Sequence, residues 1–231
     1  MRHTDSTEAV FILVEPQVPE NIGFTCRSLK NMGFNDLRIV GKSREELQRA
    51  HVTAYQAHDL LENIKFYDRL FDAAKDIDLL IGTTARNRKN RNQLISSQKL
   101  NQFIVDRREH VKRYGVVFGN ESNGLSNEDE RLCHILSTIP MKTSYPSINL
   151  SHSVMIYAYE LAQFQSSDKN ISKAENSISF KVFDNQIQEL LRDKGLDKRQ
   201  PELFQRTLDS LRLIPSVQIP MIMSLIRYFR R

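Results

Sequence analysis

Three stretches of this chain join tight turns to polar and charged side chains: PENIGFTCRSLKNMG at 19–33, FGNESNGLS at 118–126 and IPMKTSYPSINLSHSVMIYAYEL at 139–161. A fourth, GTTARNR at 82–88, runs into the basic cluster RNRKNR at 86–91. Gly119 and Gly124 allow a chain to turn sharply and bring backbone amides close to a ligand. Arg86, Arg88, Lys89 and Arg91 suit either of two roles, a loop that tracks a phosphate backbone or one that is merely solvated. Other chemistries lack their residues. There is no GxxxxGKS/T phosphate loop, no GxGxxG after a strand, no GxSxG elbow and no HExxH pair, which removes the usual nucleotide hydrolases, nicotinamide enzymes, serine hydrolases and zinc proteases. His3, His51, His58, His110, His134 and His152 are scattered, and Cys26 and Cys133 stand far apart without CxxC spacing. No metal and no disulfide framework is expected.

Each of the four segments follows a short run rich in Val, Ile, Leu or Phe. Runs of this kind, alternating with amphipathic stretches, predict an α/β fold with a parallel sheet. The predicted strands are Val10 to Val14, Leu37 to Val40, Ile64 to Tyr67, Asp78 to Gly82, Gly115 to Gly119 and Ile135 to Ile139. Open sheets of this class gather ligands beyond the carboxyl ends of their strands, which is where the polar segments fall. In the first helix Ile22, Cys26 and Leu29 share one face, Arg27 and Lys30 point elsewhere, and Gly33 is placed to end it. Asn21 is expected to cap that helix or to order the neighbouring loop. Ser126 and Asp129 have the spacing of a helix N-cap pair.

After a helical stretch at Asn149 to Phe164 comes SSDKNISKAENS, too poor in apolar residues to bury a core. It predicts a division into a domain at 1–165, a linker at 166–178 and a helical C-terminal domain at 179–231. In the last, Phe180 to Asp193, Pro201 to Leu211 and Pro220 to Arg230 read as amphipathic helices, with Pro201 and Pro220 at helix starts. The chain carries a net charge of +5, and residues 168–231 hold 12 Lys+Arg against 8 Asp+Glu. That balance suits a polyanionic partner, as it suits an ordinary solvated surface. No apolar stretch approaches the roughly 20 residues needed to span a bilayer, and the first residues lack a secretory h-region, so a cytoplasmic protein without a membrane partner is expected.

Taken in order, the segments resemble the motifs of SpoU-class (TrmH-like) RNA ribose 2′-O-methyltransferases of the SPOUT superfamily, NIGxxxRxxxxxG, FGxExxGL and IP…SLNxxxAxxIxxYE. GTTARNR is similar to the GT(S/T)AR stretch of the TrmJ branch of that class. The similarity spans roughly residues 10 to 165. Two departures are mild: Ile148 stands where Leu is usual and Ser153 where a small Ala is common, and neither removes a reactive group.

The resemblance implies a SPOUT-type sheet flanked by helices, with a deep trefoil knot near the third motif, a rare exception to ordinary topology. It implies S-adenosylmethionine as cofactor, held by Thr83, Thr84, Ala85, Gly119, Ile139, Ser147 and Ile148. It places Arg27 at the reacting hydroxyl. Because an arginine stays protonated, its easier role is to clamp a phosphate and stabilise developing alkoxide charge. Glu121 and Asn149 complete the catalytic set, either by fixing Arg27 through hydrogen bonds or by capping loops without touching substrate. The family further implies a homodimer and a tRNA or rRNA substrate. Its TrmJ branch implies cytidine or uridine at position 32 of the anticodon loop, with residues 179–231 as an RNA-binding extension. Another tRNA site or rRNA is the alternative within the class. A non-catalytic RNA-binding protein on the same fold is the alternative outside it, and intact Arg27, Glu121 and Asn149 stand against it.

Overall fold

A computed structural model describes residues 7–85, 94–108, 110–143, 148–162, 177–212, 214, 222–224 and 226. Its elements are β1 (Glu8–Val14), α1 (Pro19–Asn31), β2 (Leu37–Val40), α2 (Ala50–Ala54), α3 (His58–Glu62), β3 (Lys65–Tyr67), α4 (Leu70–Ala73), β4 (Leu79–Thr83), β5 (Leu94–Ser96), α5 (Ser97–Val105), β6 (Arg113–Phe118), α6 (Asn127–Leu132), β7 (Ile135–Thr138), α7 (Leu150–Ala162), α8 (Ser177–Asp193), α9 (Leu196–Arg199) and α10 (Pro201–Arg212). The chain divides into two compact units, Met1–Ile104 with Val111–Lys169, and Val105–His110 with Asn170–Arg231.

In the first unit the described strands form one parallel sheet of seven, ordered β3-β2-β1-β6-β4-β7-β5. β6 lies between β1 and β4, with Ile12 opposite Val117 and Ile81 opposite Val116. Both faces are covered, which is why the strands read as continuous apolar runs. Alternate residues of β1 point to opposite faces. Val10, Ile12 and Val14 pack with Leu70 and Ala73 of α4. Phe11 meets Phe34 at 5.0 Å and stacks on Phe118 at 6.3 Å, and Phe118 meets the edge of Tyr157 on α7 at 5.5 Å. All six predicted strands are present with small shifts at their ends. β5 was not anticipated: Leu94-Ile95-Ser96 is too short for a pattern and pairs only with β7 at the sheet's edge.

α1 buries Ile22, Cys26 and Leu29 as its spacing predicts, and Gly33 follows it with φ +82°, a left-handed turn that favours glycine. Gly23 has a packing reason as well. A Cβ there would lie 2.1 Å from Thr53 Oγ1 and 2.3 Å from the Ala50 carbonyl, so α1 and α2 touch at backbone distance. α7 packs on α1.

The second unit contains α8, α9 and α10, with Phe183, Ile187, Leu208, Met223 and Ile226 in a small core of its own. α10 begins at Pro201, the expected start. Most of the 166–178 stretch, and most of Pro220 to Arg230, lie outside the described residues. No helix among the described residues is long and apolar enough to cross a membrane.

Candidate functional site

A cavity of about 290 Å³ opens beyond the carboxyl ends of β4, β6 and β7. Thr83, Thr84, Ala85, Gly119, Ile139 and Ile148 line it, as do Phe118, Glu121, Glu130, Met141, Ser153 and Tyr157. Three strand ends deliver these groups because parallel strands present their C-termini on one side. The Thr83 hydroxyl donates to the Val117 carbonyl at 2.9 Å and the Thr84 amide donates to Ser137 at 2.9 Å, which lock the β4 exit between β6 and β7. Among the expected cofactor residues Ser147 lies outside the described residues, and so do Arg86, Arg88, Lys89 and Arg91.

The loop after β6 is wound on itself. A Cβ on Gly119 would fall 2.0 Å from the Gly124 carbonyl carbon and 2.1 Å from the Leu125 nitrogen, so no larger residue fits that turn. Gly124 has φ +71°, its amide donates to the Asn120 carbonyl at 3.0 Å, and the Asn123 amide donates to Asn120 Oδ1 at 2.7 Å. Ser126 then caps α6 by accepting the Asp129 amide at 3.0 Å, as its spacing predicts.

Asn21 is the centre of the surrounding hydrogen bonds, and of the two roles expected of it the structure shows the ordering of the neighbouring loops. It does not cap α1, whose N-cap is Val18 with no side-chain cap and whose first turn holds Pro19. Instead its buried side chain donates to Glu121 Oε1 at 2.8 Å and accepts from Asn149 Nδ2 at 3.0 Å. Glu121 also accepts the Gln17 amide at 2.8 Å and the Val18 amide at 3.3 Å. Asn149 Oδ1 accepts from the Ser151 amide at 2.9 Å and the Ser151 hydroxyl at 2.7 Å, so it caps α7. Of the two roles expected for Glu121 and Asn149, the bonds described here are those of capping: both hold Asn21, Glu121 accepts the amides at the start of α1 and Asn149 caps α7. Burial pushes the Glu121 carboxyl up, but the amides of Gln17, Asn21 and Val18 outweigh it and hold the group below the usual carboxylate range.

Arg27 is exposed on α1 and is not among the residues lining the cavity of its own chain. Its guanidinium lies 5.8 Å from the centre of the Tyr55 ring. Among the described residues it forms no ion pair. Other ionisable groups nearby are built into the fold. The Tyr157 hydroxyl donates to Ser137 Oγ at 3.0 Å, and burial pushes that phenol above its ordinary range. Burial also pushes the Cys26 thiol up to about 12, which leaves it protonated and inert. His134 Nδ1 accepts the Leu80 amide at 2.8 Å. The described residues contain no group of three or more His, Cys, Asp or Glu able to hold a metal ion.

Tyr157 and Glu130 line the cavity without having been singled out. Tyr157 was within reach of pattern reading, since Leu150, Ser153 and Tyr157 recur at helical spacing on α7 and all line the cavity. Glu130 had no such signal, because an acidic residue in a short helix reads as solvated.

Residues 8–159 match the SpoU rRNA Methylase family. The chain is 36% identical over 151 residues to the tRNA/rRNA methyltransferase LasT of Escherichia coli (strain K12), covering 65% of this chain and 66% of that protein. It is 36% identical over 153 residues to the tRNA (cytidine-2′-O-)-methyltransferase TrmJ of Methanocaldococcus jannaschii, covering 65% of each. The matched segment thus spans just under two thirds of these relatives. Among solved structures, that of a probable methylase family protein from Haemophilus influenzae Rd KW20 has a TM-score of 0.71 at 24% identity, over 96% of this chain and 97% of the other, a likeness of fold.

Proposed function

The chain belongs to the SpoU rRNA Methylase family, and from that membership we propose that it methylates ribose 2′-hydroxyls of tRNA with S-adenosylmethionine as donor, at a cytidine or uridine in position 32 of the anticodon loop. One observation carries the reading. Thr83 to Ala85, Phe118 to Leu125, and Ile139, Met141, Ile148 and Leu150, distant in the chain, line one cavity at the strand ends, and Asn21 ties the first motif to the other two. The name of the M. jannaschii relative, a tRNA (cytidine-2′-O-)-methyltransferase, supports a pyrimidine ribose in tRNA as the target.

The residues present fit the donor. At about 290 Å³ the cavity is near the lower end of ligand sites, which run from roughly 300 to 1,000 Å³. Ile139, Ile148 and Phe118 offer apolar walls for a purine, and Thr83, Thr84 and the backbone around Gly119 offer polar groups for its edges. Ser147 would join them, in the knotted loop that the family implies. When bound, S-adenosylmethionine supplies an electrophilic sulfonium methyl. The chain's own contribution is to position the ribose and meet charge. The Arg27 guanidinium holds a phosphate and stabilises the negative charge that develops on the 2′-oxygen as its proton leaves to a phosphate oxygen or water. Glu121, ionised and fixed by amides, and Asn149 hold Asn21 and with it the start of α1, from which Arg27 projects.

Arg27 does not line the cavity of its own chain, which supports a complete site that takes a second copy of the chain, as a homodimer. Val18 and Phe24 on α1 and Tyr159 on α7, which packs against α1, are exposed apolar groups suited to that face. The basic residues at 86–91 and the helical unit within 179–231 are the RNA-binding elements, acting in the cytoplasm.

The test is incubation with labelled S-adenosylmethionine and bulk tRNA, followed by mapping of the 2′-O-methyl site. Incorporation at position 32, lost in Arg27→Ala while cofactor binding persists, is the expected outcome. Incorporation only into rRNA would overturn the substrate. Cofactor binding without transfer to any RNA would overturn catalysis.

A further inference from the structure

One stripe of α1 faces α2, at the spacing of Glu20, Gly23, Arg27 and Lys30. Each member holds a particular atom of the short segment opposite. The Glu20 carbonyl accepts from the Thr53 hydroxyl at 2.9 Å. Gly23 makes room for the backbone of Ala50 and Ala54. Lys30 Nζ donates to the Gln56 carbonyl at 2.9 Å and pairs with Asp59 at 2.6 Å. Between these anchors lies Tyr55, and beneath its ring lies Arg27.

Tyr55 is an unusual choice for that place. It has φ +49° and ψ −118°, a conformation that residues with a Cβ rarely adopt and that glycine takes without strain. The ring does not offset this by burial, since it is 63% exposed. A strained backbone that persists on a surface is held there by its surroundings, and such residues gather at functional sites. The anchors on either side force the chain through this conformation, and the result is an aromatic face laid on the guanidinium of an arginine that has no ion pair among the described residues.

We infer that Tyr55 is the positioning residue for Arg27, its ring fixing the planar guanidinium by cation–π stacking and leaving the N–H groups free for substrate phosphate and the reacting oxygen. The inference rests on the role of Arg27 proposed above. A carboxylate at this place would fix the arginine too, but would occupy those same N–H donors and cancel its charge. An aromatic face orients the group and consumes neither.

Steady-state methyl transfer to tRNA by the full chain tests this with three variants. Tyr55→Gly relieves the backbone and removes the ring. It is expected to lower kcat roughly 2- to 5-fold, the span of a cation–π contact at an exposed site, with cofactor affinity and dimerisation unchanged and thermal stability unchanged or raised. Tyr55→Leu, which keeps bulk and strain but lacks a π-face, should be nearly as slow. Tyr55→Phe should restore the rate. Wild-type kcat in Tyr55→Gly or Tyr55→Leu, or failure of Tyr55→Phe to restore it, overturns the inference. So does a loss confined to KM for tRNA, which would assign the ring to the RNA. Its failure differs from failure of the underlying reading: in the first case wild type transfers methyl and Arg27→Ala does not, and in the second wild type transfers none.

Discussion

The two ends of the sheet treat arginine in opposite ways. At the amino ends of the strands Arg38 is almost wholly buried, pairs with Asp36 and Asp76 and donates to the Ala73 carbonyl, while Arg113 pairs with Asp76 and Glu8. On α1, the helix that starts beyond the carboxyl end of β1, Arg27 lies exposed over an aromatic ring, and Glu121, which lines the cavity, is committed to amides. One end neutralises its cations and uses them to close a β-sheet. The other keeps a cation available and spends neutral hydrogen bonds to hold the loops in place. Substitutions at the two ends should therefore be read by different instruments.

The largest effect on stability belongs to Arg38→Met. It leaves Asp36 and Asp76 facing one another without their shared cation and frees the Ala73 carbonyl, and breaking a buried pair from one side costs about 3 kcal/mol or more. For a chain of this size the thermal midpoint should fall by about 6–12 °C. Methyl transfer by the protein that remains folded should be unchanged. A midpoint within a degree of wild type would mean that Arg38 contributes nothing net, and the contrast between the ends would lose one side.

Next comes Asn21→Ala. It strips one partner from the half-buried Glu121 and one from the exposed Asn149, a loss of about 0.5–1.5 kcal/mol. The variant should bind cofactor and tRNA less tightly, with a drop in global stability smaller than that of Arg38→Met, because the bonds tie loops and not strands. Calorimetric titration with cofactor alongside thermal denaturation separates the two. Wild-type affinity would show that the Asn21 bridge does not shape the cavity.

These examples also mark what a sequence makes legible. The central strands were readable because they are buried on both faces and so largely apolar. The motif segments were readable because glycines and polar groups cluster after strands. For Asn21 the sequence left a cap and a loop contact both open, because its partners Glu121 and Asn149 are 100 and 128 residues away and an asparagine near a helix start has a cheaper local role as a cap. Local chemistry competes with long-range contact, and only coordinates decide between them. β5 failed for a different reason, since its three residues derive their strand character from β7 and not from a pattern of their own. Tyr55 was invisible because strain is a property of φ and ψ that no side-chain pattern encodes.

The smallest effect is the response to acid. The carboxyl of Asp76 is held below its ordinary range by hydrogen bonds from Arg38, against the opposing pull of burial, with Arg113 adding to the effect. In Asp36 burial raises the carboxyl, and the hydrogen bonds from Arg38 and Lys65 outweigh it. A carboxylate whose folded pKa lies below its unfolded value, about 3.9 for Asp, binds its proton more readily in the unfolded chain. Its stabilisation is complete above about pH 5 and declines as pH falls through the unfolded and then the folded value. Solvent screens these half-exposed pairs, so the decline should amount to about 1 kcal/mol. Urea midpoints measured from pH 7 down to pH 3 should fall in wild type and fall less steeply in Arg38→Met, which has already lost the cation responsible. Equal slopes would show that the acid response arises elsewhere. Glu121 is a further carboxylate held low by hydrogen bonds, and its contribution should then appear as weaker cofactor binding toward acid pH in both proteins alike, since it is not among the partners of Arg38.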